Sequence, residues 1–419
     1  MSVHSLFILA DDLTGAADSA IGATRAGLES VVLFGAQTRQ TQVCVEADVF
    51  AIDAETRYLP EMEARAINAR LWAAYAAPGR LFYKKIDSTL RGNFAAEIAA
   101  LTQAGAGVAI VAPAYPTSGR TTKRGRVYVD DIPLEHTKTW SNEGLCGEAD
   151  LVAMLRRVGV VSTGVPLPLI RGDLRGEFIR LLDAKEVQAI VCDAENESDL
   201  SAIVAASRDL PVYWVGSSGL SSHLISSARI VGQTTAPSVK MMGPILTIIG
   251  SISDVSRQQA ARLEASGNFA IFEPDAEMLL AGESDSGWQS MQRDLLAALG
   301  TGRDTIVRTV LKERNDLSQG PSLGASIGRM LSPAASRVGA LIVTGGETAM
   351  ALLPVFGVQA LRLWREIEPG VPLSVTMGER VMPMITKAGG FGSPDVFLAC
   401  YAQLASLREE NCYSERCQQ

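Results

Sequence analysis

SLFILADDLTGAADSAIGATRAGLESVVLF, running from Ser5 to Phe34, decides how the rest of the chain is read. The apolar run Leu6 to Ala10 reads as a buried strand of a parallel sheet. It stops abruptly at two adjacent carboxylates, Asp11 and Asp12. Thr14-Gly15 then opens an Ala-rich helix that Gly27 closes in a left-handed cap, and Val31 to Phe34 follows as a second strand. Ligands of open parallel sheets sit at the carboxyl ends of the strands. Two acids placed there, just before a helix start, point to a site rather than to a solvated acidic turn.

Working outward, the same alternation continues. Val49 to Asp53 reads as a strand leading to Glu55-Thr56-Arg57, and Glu61 to Ala77 as a helix. Leu81 to Ile86 is a strand running into Asp87-Ser88-Thr89-Leu90-Arg91-Gly92-Asn93. A helix over Phe94 to Gln103 and a strand over Val108 to Ala112 come next. Tyr115 to Gly147 loses periodicity, with a hairpin expected around Val127 to Val129; long irregular excursions of this kind are usually functional or disordered. The rhythm returns with strands at Leu167 to Ile170, Ala189 to Cys192 and Val212 to Val215, and helices at Glu177 to Ala184 and Asp199 to Ala206. This pattern predicts an α/β fold, doubly wound around a mostly parallel sheet.

Val231 to Gly243 is polar, carries Pro and Gly, and reads as a linker. It separates an expected domain over residues 1–235 from a second α/β domain over 243–419. The second half has strands at Ile245 to Ile249, Phe269 to Phe272, Thr305 to Val310, Ala340 to Val343, Pro372 to Thr376 and Met384 to Lys387. Helices are expected at Val255 to Ala265, Gln289 to Leu299, Ser326 to Leu331 and Pro394 to Leu407.

Bulk properties narrow the function. At 419 residues the chain is too long for one ordinary core. Its net charge of −8 argues against a nucleic-acid or acidic-membrane binder, but not against a small anion held by a local basic cluster. No apolar run approaches the roughly twenty residues of a membrane helix, and no export signal opens the chain, so a cytoplasmic protein is expected. The six cysteines are dispersed without a CxxC pair, which speaks against a zinc site or disulfide framework. Three histidines leave few candidates for a hydrolase base. Gly216-Ser217-Ser218-Gly219 lacks the GxSxG form of a nucleophile turn.

Three strand ends of the first half carry chemistry: Asp11-Asp12, Arg57, and Lys85 through Arg91. If they adjoin, Lys85, Arg57 and Arg91 can hold a carboxylate, Arg in bidentate fashion. Ser88 adds a hydroxyl, while Asp11, Asp12 and Asp87 orient alcohols, one of them accepting a proton. The plainer reading is separate surface loops with local caps. The second half has three Gly-rich turns after apolar runs: GSIS at Gly250 with Ser251 and Ser253, TGGET with Gly345, Gly346, Glu347 and Thr348, and KAGGFG with Gly389 and Gly390. Such turns aim backbone amides at phosphate oxygens. No GxxxxGK[ST] loop and no standard dinucleotide fingerprint occurs.

With those motifs in view, the chain resembles the four-carbon acid sugar kinases nearly end to end. The resemblance rests on ILADDLTGAADSA, KKIDSTLRGN, the GRTT loop, WVGSSGL, GSISDVSRQQ, VTGGETA and KAGGFG. It implies a sugar-acid-binding N-terminal domain, an ATP-binding C-terminal domain and a site in the cleft between them, with ATP and Mg²⁺ as cofactors. The implied reaction phosphorylates the 4-hydroxyl of a tetronate. Implied substrate positions are Asp11, Arg57 and Lys85 to Ser88; implied nucleotide positions are Ser253, Gly345 to Thr348 and Gly389. The leucine of ADDLTGAAD favours threonate-type members, with erythronate and oxo-tetronates as further substrates. Glu347 and Asp254-Val255 depart from the family pattern and leave the metal ligands unassigned. The partners expected are a sugar acid and ATP, with no nucleic acid and no membrane; a homo-oligomer is open to the chain. Two other readings are an aspartate-based sugar-phosphate phosphohydrolase, whose acid-x-acid spacing Asp11-Asp12-Leu13-Thr14 lacks, and a non-catalytic sugar-acid sensor.

Overall fold

A computed structural model describes residues 5–34, 47–228, 230, 237, 239–250, 253–309 and 320–416. The chain divides into two compact units, Met1–Thr234 and Thr235–Gln419. Part of the expected linker, residues 231–236 and 238, lies outside the described residues.

The first unit is a parallel sheet of eight strands: β1 (Ser5–Ala10), β2 (Ser30–Phe34), β3 (Val49–Asp53), β4 (Arg80–Lys85), β5 (Val108–Ala112), β9 (Ser162–Val165), β10 (Ala189–Cys192) and β11 (Val212–Gly216). Their spatial order is β2-β3-β1-β4-β11-β5-β10-β9. Between β5 and β9 the chain leaves the sheet to form a three-stranded antiparallel ribbon, β6 (Arg120–Lys123), β7 (Arg126–Val129) and β8 (Ile132–Pro133). The order runs one way from β1 through β3 to β2 and the other way into β4. The carboxyl ends of β1, β3 and β4 therefore lie at the switch point where open α/β sheets form a crevice.

The apolar runs of β1, β2 and β3 are buried at nearly every position. One face is packed by a run of rings, with Phe7 5.1 Å from Phe50 and 5.2 Å from Phe82, and Phe82 5.4 Å from Tyr213. Offset rings at such spacing add to their area burial.

Two local expectations fail here. Leu167–Ile170 is a short helix started by Pro166 and Pro168, and the strand lies earlier, at β9. β9 pairs only with β10, so it needs little apolar content and carries no buried run to betray it. Leu151–Arg157, unassigned in the sequence, is a helix capped by Asp150. The helix after Pro60 ends at Tyr75, ahead of Pro78-Gly79.

The second unit has β12 (Ile245–Ile249), β13 (Ala270–Phe272), β14 (Thr305–Arg308), β15 (Ala340–Thr344), β16 (Val358–Glu368), β17 (Val371–Gly378) and β18 (Pro383–Lys387), in the order β13-β14-β12-β15-β18-β17-β16. β16 and β17 form an antiparallel hairpin on an otherwise parallel sheet. The 11-residue β16 is absent from the sequence reading. Three register irregularities against β17 break its inside–outside alternation, so its apolar residues follow no period of two. A closing helix, Val396–Arg416, packs Phe397, Cys400 and Leu404 against the core of this unit.

Candidate active site

Arg57 organises the first-half constellation. Its Nε donates to Asp11 Oδ2 at 2.8 Å and its Nη2 to Asp11 Oδ1 at 3.1 Å, a bidentate pair. Its Nη1 donates to Asp12 Oδ2 at 2.7 Å, and Nη2 stands 3.7 Å from Asp87 Oδ2. Asp87 in turn accepts from Arg91 Nη2 at 2.7 Å and from the Thr89 amide at 2.8 Å. The three strand ends named from the sequence are thus one connected cluster. Both arginines expected to grip a ligand carboxylate are already bound to the chain's own carboxylates.

Asp12 has a second role. It is the N-cap of the helix Leu13–Ala20, accepting the Gly15 amide at 2.9 Å and the Thr14 hydroxyl at 2.7 Å. The helix opens one residue earlier than Thr14-Gly15 because Asp12, not the threonine, supplies the cap. Asp12 keeps 18% of its side chain exposed, against 3% for Asp11.

Lys85, the last residue of β4, is the cation left over. It is 5% exposed, and among the described residues it makes no hydrogen bond and no ion pair within 4.0 Å. Asp12 and Asp87 nevertheless feel its charge. A Cβ added to Gly15 would stand 2.9 Å from Lys85 Nζ and 2.5 Å from Asp12 Oδ1, so glycine is what lets the ammonium lie against the first helical turn. Ser88, three residues on, is half-buried.

The electrostatics follow from this packing. Burial pushes the Asp87 carboxyl up, but Arg91 and Arg57 outweigh it and hold it well below the usual range. For Asp12, burial is likewise overcome by Arg57 and Lys85, leaving its carboxyl below the ordinary value. Burial works against the charge of Arg57, and Asp11, Asp12 and Asp87 more than restore it.

The sequence reading missed Asp53, at the end of β3 beside Ala10. It is 1% exposed; Oδ1 accepts the Glu55 amide at 2.8 Å, while Oδ2 is buried without a hydrogen bond. Burial, then the charge of Asp12, pushes its carboxyl well above the usual range. The positional rule that singled out Asp11 and Asp12 applied equally to the last residue of VFAID. Beneath the cluster lies another buried group, in which Glu97 accepts from the Thr56 hydroxyl and from Asn68 Nδ2 at 3.1 Å.

Other candidates resolve into structure. Ser217 donates to the Ala114 carbonyl and Ser218 to Asp18, both fully buried, and His223 pairs with Glu197 at 2.8 Å. That turn is a packing joint.

In the second unit, β12, β15 and β18 are adjacent and parallel, with Ile249, Thr344 and Lys387 at matching register positions. The three glycine turns therefore leave the sheet side by side. The Gly250 amide donates to the Thr344 carbonyl at 3.1 Å, and the Gly345 amide to the Lys387 carbonyl at 3.1 Å. A Cβ on Gly250 would fall 1.9 Å from Thr348 Oγ1, so the first two turns touch. Gly345 takes φ 99° and starts the helix Gly346–Leu352, whose first turn carries Glu347. Ser253 begins the helix Asp254–Ser266. Ser251 lies outside the described residues. Gly389 and Gly390 follow β18 in the third turn.

Two family models match the chain in succession. Residues 6–224 match the family described as "Sugar-binding N-terminal domain", and residues 246–397 match "Nucleotide-binding C-terminal domain". A D-threonate kinase of Cupriavidus necator is 42% identical over 398 residues, covering 93% of this chain and 95% of that one. A 3-oxo-tetronate kinase of Pseudomonas savastanoi pv. phaseolicola is 30% identical, covering 95% of this chain and 96% of that one. The crystal structure of Haemophilus influenzae protein HI1011 shares the fold, with a TM-score of 0.73 at 21% identity over 95% of this chain and 100% of that one.

Proposed function

Since the chain belongs to the four-carbon acid sugar kinase family, we propose that it transfers the terminal phosphoryl group of ATP to the 4-hydroxyl of a four-carbon sugar acid, D-threonate foremost. The observation that carries this reading is Lys85. A buried ammonium at a strand's carboxyl end, with no ion pair among the described residues, is a receptor for an anion, and a sugar carboxylate supplies one. The choice of D-threonate is supported by the higher identity to the Cupriavidus D-threonate kinase, 42%, than to the Pseudomonas 3-oxo-tetronate kinase, 30%.

In this reading Lys85 and Ser88 bind the acid end of the substrate. Arg57 and Arg91 act one step back, fixing Asp11, Asp12 and Asp87, of which the more exposed Asp12 and Asp87 keep lone pairs for sugar hydroxyls. Asp12, the more exposed of the paired acids, orients the 4-hydroxyl. Its lowered pKa makes it a weak ground-state base, but phosphoryl transfer through a loose transition state needs the proton only late, and positioning is the larger contribution. Gly346, Thr348, Gly389, Gly390 and Ser253 cradle the phosphates of ATP through amides and hydroxyls, while Gly345, its amide bonded to the Lys387 carbonyl, shapes the second turn.

Mg²⁺ belongs to the same proposal. Among the described residues no three His, Cys, Asp or Glu side chains cluster as metal ligands, and Asp11, Asp12 and Asp87 are committed to arginines. Those residues fit an ion carried mainly by nucleotide phosphates and water, which is the usual habit of Mg²⁺. Glu347, in the first turn of the helix behind the second glycine turn, would be its protein ligand. When bound, the ion neutralises phosphate charge.

The test is ADP formation from Mg-ATP with D-threonate, L-threonate, D-erythronate and 3-oxo-tetronates. D-Threonate should give the highest kcat/KM. A preference for an oxo-tetronate would overturn the choice of substrate, and no ADP from any tetronate would overturn the kinase reading.

A further inference from the structure

Lys387 closes β18 just before the third glycine turn, and its side chain turns inward, away from any surface. It is 1% exposed. Its Nζ donates to the carbonyls of Ala388 at 2.9 Å, Gly389 at 3.1 Å and Phe391 at 3.0 Å, and lies 3.3 Å from the Ser256 hydroxyl. Ser256 donates to the Gly389 carbonyl at 2.8 Å. One helical turn on, Gln259 Nε2 donates to the carbonyls of Phe391, Gly392 and Ser393 at 3.1, 3.1 and 2.9 Å. Nearly every carbonyl from Ala388 to Ser393 is thus drawn to the interior.

A trans peptide sets the following N–H opposite to its C=O. Drawing the carbonyls of Ala388, Gly389 and Phe391 inward turns the amides of Gly389, Gly390 and Gly392 outward. Among the described residues these three amides meet no acceptor. We propose that Lys387 is the internal cation that holds the KAGGFG turn with its amides facing out, and so is a positioning residue for the phosphates of ATP. This rests on the nucleotide reading of the second unit. The buried charge serves twice, gathering the carbonyls and setting a positive potential behind the anion.

The arrangement carries a pH dependence. The groups facing Lys387 are the Phe397 ring, with its centroid 5.4 Å from Nζ, Cys400 on the closing helix, and Glu368 at the end of β16, which accepts from Ser393. The Arg262–Asp395 pair flanks the turn at the surface. Burial lowers Lys387 to about 8 and raises the Cys400 thiol to about 12. Below about 8 the ammonium offers three donors. Above it, a neutral amine keeps two and points a lone pair at a carbonyl, and the turn loosens.

The experiment is calorimetric titration of ATP into the full chain from about pH 7 to about pH 9.5, a range that brackets Lys387 but not an unperturbed lysine, with D-threonate binding as the control for folding. Wild-type affinity for ATP should fall about 10-fold as pH passes about 8. Lys387→Met should bind ATP about 10–100-fold more weakly, without that pH dependence, on the magnitude of lost charged hydrogen bonds, while D-threonate binding holds. Lys387→Met with wild-type ATP affinity would overturn the proposal. If that variant does not fold, a flat wild-type ATP affinity across the range overturns it instead. No ATP binding by wild type at any pH, with D-threonate still bound, would overturn the nucleotide assignment itself.

Discussion

Lys84 Nζ stands 2.9 Å from Glu97 Oε2, both side chains completely shielded from solvent, one residue before Lys85. Successive strand residues face opposite sides of a sheet. The two lysines of FYKKID therefore divide: Lys84 is neutralised beneath the sheet, and Lys85 is left for a ligand. Glu97 also accepts from Thr56, the neighbour of Arg57, so this pair underpins the loop that carries the arginine. Lys84→Met should destabilise the first unit by about 3–5 kcal/mol, because it strands a buried carboxylate. Denaturant unfolding followed in that unit checks this, and a loss below about 1 kcal/mol would mean the pair is dispensable.

Lys85→Met removes the only cation of the cluster without an ion pair among the described residues. The Kd for D-threonate should rise about 10–100-fold, on the scale of a lost charged hydrogen bond, with ATP binding unchanged. Arg57→Lys should act differently, lowering kcat more than it raises Kd, since a lysine cannot bridge Asp11 and Asp12 at once. Calorimetry alongside steady-state kinetics separates the two, and equal effects would contradict the division of labour.

Asp12→Asn keeps the helix cap, because its amide oxygen still accepts the Gly15 amide. It removes the carboxylate proposed to accept from the 4-hydroxyl. We expect kcat to fall about 10²–10⁴-fold, with thermal stability at neutral pH lowered by the loss of the charged pair with Arg57. An unchanged kcat would take that role from Asp12.

The acids of the site push stability in opposite directions with pH. Asp12 and Asp87 titrate below their unfolded values, so the stability they contribute is full above about pH 4 and lost as pH falls through and below it. Asp53 is raised above its unfolded value, so the folded state binds its proton more tightly, and stability falls as pH rises from about 4 toward its folded pKa. Asp53→Asn should then raise the melting temperature at neutral pH and leave it nearly unchanged near pH 4. A lower melting temperature at neutral pH would mean that Asp53 is ionised and needed.

The sequence alone determined the α/β class, the order of most elements and the strand ends that carry the candidate site. Fully buried parallel strands are written as unbroken apolar runs, and their carboxyl ends are marked by the first polar residues that follow. Asp11-Asp12, Lys85-to-Arg91 and the glycine turns were legible on that basis. Strand adjacency was not, because pairing is a long-range property that local periodicity does not encode. Only the tertiary structure brought β1, β3 and β4 together, tied Arg57 to three carboxylates and so left Lys85 without an ion pair among the described residues. It also disclosed β16, whose bulges erase its alternation, and the inward turn of Lys387, which a Gly-rich turn conceals. In each case the deciding quantity was the partner across space: a charge is available to a ligand only when the fold has not already neutralised it.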